Sequence, residues 1–160
     1  MHPAARAVRE ARVSRLTQVA LAVVEEIAAG VDADAFAIAF DLAYRDLVSF
    51  EPQHLSVPHV SVVPRGLRRA RIARDKFELL LDVDYAVQAR VDPTNRSQVG
   101  PLQTLGEAID EWLAERFTLA NYPAATWRDS KQQTAADPDH LDRLHVFTAV
   151  YTQTYRQVVP

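Results

Sequence analysis

Asp82 and Asp84 stand two residues apart in FELLLDVDYAVQARV, residues 77 to 91. Paired carboxylates can divide the acid and base roles of a proton-transfer step. At strand spacing they share one face, about 7 Å apart. Nothing near them in sequence marks one as acid and the other as base, and a solvated strand face carries the same pattern. His54 and His59 lie in a proline-bounded stretch, at a spacing that matches neither a helix face nor the usual metal pairs. DPDHLDRLH, residues 137 to 145, gathers Asp137, Asp139, His140, Asp142 and His145, donors that could hold a divalent cation. The competing reading is turn and cap chemistry, since Asp-Pro-Asp favours a turn and the glycine of a tight calcium loop is missing.

Nucleophile motifs are lacking. There is no G-x-S-x-G, and Ser14, Ser49, Ser56, Ser61, Ser97 and Ser130 have no elbow or local base. The four glycines are scattered and form no phosphate-cradling loop, and with no cysteine there is no thiolate chemistry and no disulfide. The expectation is no catalytic residue, no metal and no cofactor. Trp112, Trp127, Tyr122, Tyr151 and Tyr155 could form a stacking platform, but their helix and strand periodicity assigns them to the core.

One charged motif stands out. RGLRRARIARDK, residues 65 to 76, carries six basic residues and one acid in a chain of net charge −3, so the remainder is distinctly acidic. Arg65, Arg68, Arg69, Arg71 and Arg74 could contact phosphates, an acidic protein surface, or water alone.

The elements that position these residues follow from periodicity. Residues 1 to 12 read as a frayed arm; Ser14 then caps a helix with a stripe of Leu16, Val19, Ala20, Val23, Val24 and Ile27, which Gly30 ends. Phe36 to Tyr44 alternates as a strand, and Val60 to Val63, confined by prolines, as a short one. The basic segment leads into the long strand 77–91 as its hairpin partner, with a turn near Arg74-Asp75. Every odd position of that strand is apolar, so one face is buried and the other mostly wet. Asp92-Pro93-Thr94-Asn95 is a turn, and Pro101 opens a helix striped by Leu102, Leu105, Ile109, Trp112, Leu113 and Phe117, with Glu107, Asp110, Glu111 and Glu115 opposite. Ala124 to Gln133 reads as a strand, DPDHLDR as a turn, and the final strand is covered on both sides. The fold class is α+β: a mostly antiparallel sheet of about five strands, two helices on one face, and extended hairpins.

A length of 160 residues fits one domain able to bury its own core. No targeting segment or membrane span is present, so the reading is a soluble intracellular product. Long strands leave edges that a small sheet cannot hide, which points to assembly, and strand augmentation between subunits would satisfy them.

VDYAVQARVD (83–92), GEAIDEWLAERF (106–117) and above all DPDHLDRLHVFTAVYTQTYR (137–156) resemble the small neck and tail-terminator proteins of tailed bacteriophages, as does the valine-proline step VSVVPRG at 60–66. The resemblance spans residues 14 to 156. It implies a virion protein, assembled in the host cytoplasm, that closes as a six-membered ring on the tail tube. The implied partners are the last tail-tube ring and the head connector or stopper protein, with DNA passing through unbound. It brings no catalytic residue to carry over. On this reading Arg65, Arg68, Arg69, Arg71 and Arg74 dock on an acidic neighbouring ring. The alternatives are another head-tail completion protein, a nucleic-acid-binding module using the same arginines, and a small enzyme using Asp82, Asp84 or His140.

Overall fold

The computed structural model describes residues 13–46, 56–92 and 94–160. The N-terminal arm, His54 and Pro93 lie outside these. Helix α1 (Arg15–Asp32) starts where Ser14 caps it, the Ser14 Oγ accepting from the Thr17 N–H at 3.1 Å. Val19, Val23 and Ile27 recur at helical spacing and are fully buried. The helix runs two residues past Gly30, which is buried inside its last turn: a Cβ there would stand 2.7 Å from the Phe36 ring and 2.9 Å from Trp112. Close approach, not termination, requires that glycine.

Strand β1 (Asp41–Tyr44) is shorter than the alternation from Phe36 predicts. Phe36, Ile38 and Phe40 instead pack half-buried against the core, Phe36 meeting Trp112 edge-on at 6.0 Å. An alternating run buries one face equally well as a strand or as an extended plug, so periodicity alone could not separate them. The expected short strand at 60–63 and the basic segment are one strand, β2 (His59–Ala73), paired with β3 (Lys76–Arg90) through the expected Arg74-Asp75 turn. Two register shifts, at Pro64/Gly66 and Arg71/Ala73, absorb the irregularity that hid it.

After a turn in which Asp92 Oδ1 accepts from Thr94 N and Oγ1, a single 3-10 turn (Arg96–Gln98) leads into α2 (Val99–Ala114). Leu102, Leu105, Ile109 and Leu113 face the sheet as expected, but Phe117 lies beyond the helix and is 67% exposed. Strand β4 (Thr118–Leu119) precedes β5 (Tyr122–Thr134), and DPDHLDR, expected as a turn, is a short helix, α3 (Pro138–Leu144). Asp137 caps α3 by accepting from the Asp139 and His140 N–H groups, so the cap chemistry was legible and the helix it opens was not. Strand β6 (Val146–Val159) closes the chain.

The architecture is α+β as expected, but among the described residues it has three helices instead of two and a sheet of six strands instead of about five, in the order β1-β2-β3-β6-β5-β4. Among the described residues only β1 and β2 run parallel. Odd residues of β3 and β6 face α2 and the core: Tyr85 and Tyr151 stack there, centroids 5.0 Å apart, and the Tyr85 hydroxyl donates to the Gly106 carbonyl at 2.7 Å. Burying each such large side chain is worth roughly 1.5–3 kcal/mol. Trp112, Trp127 and Tyr122 are half-buried against this core, and Tyr151 and Tyr155 lie within it. Among the described residues no helix is long and apolar enough to cross a membrane.

Candidate assembly interface

The even residues of β3 and β6 form the second sheet face, where Asp82 and Asp84 lie. Thr154 donates to Asp82 at 2.7 Å and Thr152 to Asp84 at 2.6 Å. Arg68 reaches Asp82 at 3.6 Å and Arg65 reaches Asp84 at 3.3 Å. A third rung joins Arg156 to Glu78 at 2.7 Å and holds the Glu78 carboxyl below its ordinary range. Each carboxylate is thus engaged by a hydroxyl or a guanidinium of a neighbouring strand, an acid-base ladder rather than a poised pair. His140 stands apart, its Nδ1 2.9 Å from Thr148 Oγ1. Thr148 lies four residues from Thr152 on β6, roughly 13 Å at strand rise. The three candidate catalytic residues share a sheet face but do not converge.

His59 lies 3.7 Å from Asp41, tying β1 to β2, and His54 falls outside the described residues. Among the described residues no group of three His, Asp or Glu side chains could hold a metal ion. A cleft of about 440 Å³ opens between Ala37-Ile38 and the first turns of α2, lined by Gly100, Pro101, Thr104, Leu105 and Ala108, none of them titratable. It offers an apolar wall and no group that could move a proton.

The basic run is divided by the sheet. The shift at Pro64/Gly66 places Arg65 and Arg68 beside the aspartates of the second face. Arg69 and Arg71 pair in register with Leu79 and Phe77 and therefore lie on the helix-side face. Both guanidinium groups stand over the Phe77 ring, at 5.9 and 5.2 Å. Arg74 occupies the turn. Among the described residues Arg69, Arg71 and Arg74 have no carboxylate partner, and Leu67 and Ile72 beside them are 41% and 48% exposed. From Leu67 to Lys76 the hairpin is exposed throughout.

The structure locates two of the open edges that the strand lengths predict. Among the described residues β1 pairs with β2 only from His59 to Val62, so the outer edge of β2 beyond Val62 is open. On the opposite side β4 pairs only with the start of β5, leaving Arg128 to Thr134 open among the described residues. The signal for the second was its composition: RDSKQQT is a strand without a large apolar residue, as an edge requires.

No protein-family model matches the chain, and no curated protein matches it. Among solved structures it matches the PVC sheath/tube terminator of an extracellular contractile injection system, in the extended state, at 15% identity and a TM-score of 0.37. The match covers 84% of this chain and 56% of that one, so the chain spans little more than half the length of that protein.

Proposed function

We propose that this chain is a structural protein of a phage-type tail: a terminator that closes as a ring of six on the tail tube and presents a surface to the head connector or stopper protein. The observation that carries the reading is the exposed β2–β3 hairpin, whose Arg69, Arg71 and Arg74 have no carboxylate among the described residues and so suit an acidic neighbour. The sequence resemblance supports it too, because its segments pack as one unit: β3 lies beside β6, and α2 is bonded to β3 through Tyr85 and Gly106. DNA passes through such a ring unbound when the lining is acidic, and outside the hairpin this chain is acidic.

A nucleic-acid reading of the same run is the runner-up, and it loses Arg65 and Arg68 to the two aspartates. Light scattering after size exclusion, with and without the tail tube protein of the same particle, tests the proposal. A ring, alone or on the tube, with tube elongation halted, is the expected result, and the triple charge reversal Arg69→Glu, Arg71→Glu, Arg74→Glu should weaken assembly of the ring on the tube at least tenfold while leaving the fold intact. A chain that ignores the tube, stays monomeric and retards DNA with a steep salt dependence would overturn it.

A further inference from the structure

Building on the ring reading, we infer that the ring closes by head-to-tail strand addition: β2 of one copy, over Gly66–Ala73, pairs with β5 of the next, over Arg128–Thr134. The two open edges sit on opposite sides of one sheet, and β2 and β5 run antiparallel to each other within it. Setting β5 of a neighbour against β2 therefore continues the antiparallel alternation and keeps α1 and α2 of successive copies on the same side. A contact made by two different surfaces propagates around a ring instead of stopping at a dimer.

The registers also dictate a stagger. The open part of β2 lies opposite residues 76 to 82 of β3, whereas through β6 the open part of β5 lies level with residues 82 to 86. β1 blocks one end of the first edge and β4 one end of the second. Seating all of β5 needs a slip of about four residues toward the hairpin tip, roughly 13 Å at strand rise. Only even slips keep the buried faces aligned, so four or six residues are allowed. A fixed slip at each junction is the shear that a closed, tilted sheet requires.

Charge selects this pairing over its rivals. Two β2 edges would set arginine against arginine. On the helix side α2 packs over β6 next to β5, with Asp110 accepting from Gln153 Nε2 at 2.7 Å and Gly106 against the Tyr151 ring. Tyr151 in turn accepts from Gln132 of β5. Glu107 and Glu111 are exposed and, among the described residues, unpaired. Docking puts them on the same face as the neighbour's Arg69 and Arg71.

The absence of cysteine makes a clean cross-linking test possible. Ala70 and either Asp129 or Lys131 share the second face, and the two pairs report slips of four and six residues. Ala70→Cys combined with Asp129→Cys or Lys131→Cys, treated with a short bifunctional thiol reagent with and without tail tube protein, should give a ladder ending at the ring. Mixtures of single variants should stop at dimers, and Glu107→Arg/Glu111→Arg should abolish the ladder but cross-link with Arg69→Glu/Arg71→Glu. A ring by light scattering with no ladder, or cross-linking by Ala70→Cys alone, would overturn the pairing and leave the terminator reading standing. A monomer whose 66–73 amides resist hydrogen exchange would mean the chain's own residues cover the edge, which also overturns it. Failure to form any oligomer, even on the tube, would remove both.

Discussion

Replacing Gly106 by alanine should destabilise the protein, although the same change elsewhere in a helix stabilises. Alanine is favoured over glycine by about 1 kcal/mol in a helix interior. At Gly106 the new Cβ would lie 2.7 Å from Tyr151 Cε2 and Oη and 2.9 Å from Cζ. Ordinary carbon contacts are about 3.5–4 Å, so the ring or the helix must retreat by about 1 Å. The ring is held from both sides: it stacks on Tyr85 at 5.0 Å with 8° between planes, and its hydroxyl accepts from Gln132 at 3.0 Å. Moving the helix strains the 2.7 Å bond from Tyr85 to the Gly106 carbonyl. Overpacking of this kind costs about 1–3 kcal/mol, and a weakened hydrogen bond adds about 1. Net of the propensity gain, a loss of about 1–3 kcal/mol is expected. Gly100 has nothing within 4 Å of its would-be Cβ, so Gly100→Ala should be neutral or gain up to about 1 kcal/mol. Urea unfolding followed by far-ultraviolet circular dichroism, at one protein concentration, reads both, and at a slope of about 2 kcal/mol/M the Gly106 midpoint should fall by roughly 0.5–1.5 M. If Gly106→Ala shifted upward with Gly100→Ala, the account of how α2 seats on the tyrosine pair would be wrong.

Tyr85→Phe removes a buried hydrogen bond and should cost about 1 kcal/mol. Tyr155→Phe removes a buried hydroxyl with no partner among the described residues, and should be neutral or stabilising in the same denaturation assay. Burial raises the ionisation of Tyr85, Tyr151 and Tyr155 above the usual tyrosine range, so their contribution is present below about pH 10 and is lost as pH rises beyond it. Phenolate absorbance should appear together with unfolding, and titration of all five tyrosines in the folded state would contradict this burial. At the acid end Glu78 is depressed, chiefly by its bond to Arg156, and Asp92 chiefly by the Thr94 hydroxyl. Their stabilisation is present above the ordinary carboxylate range and fades as pH falls through it and below. Glu78→Gln should flatten the acid limb of a stability-pH curve, and an unchanged limb would discount the Arg156 contact.

Local pattern carried the reading where one face of an element is uniformly apolar. Ser14 and the stripe behind it, the alternation through β3, the Arg74-Asp75 turn and the α2 stripe are decided within a few residues, because side-chain direction repeats every 3.6 or 2 positions. The same logic failed where both faces share a composition. β2 carries arginines on both faces across two register shifts, so no period survives. The run from Phe36 buries its apolar residues as a plug and only four residues of it pair. Gly30 looked like a stop because its reason, the approach of Phe36 and Trp112, comes from residues six and more positions away.

The candidate interface divides in the same way. That the hairpin is basic and the rest acidic is composition, open to inspection in the chain alone. Which arginines remain available was settled by register, since the bulge after Pro64 turns Arg65 and Arg68 toward Asp84 and Asp82 and leaves Arg69 and Arg71 on the other face. Strand order settled which edges stay open. The sequence by itself determined the elements whose apolar face keeps one period, α1, α2 and β3, because helix and strand periods are local. Only the tertiary structure decided what those elements present to a partner, because register and edge exposure arise from pairing between segments as far apart as residues 65 and 152.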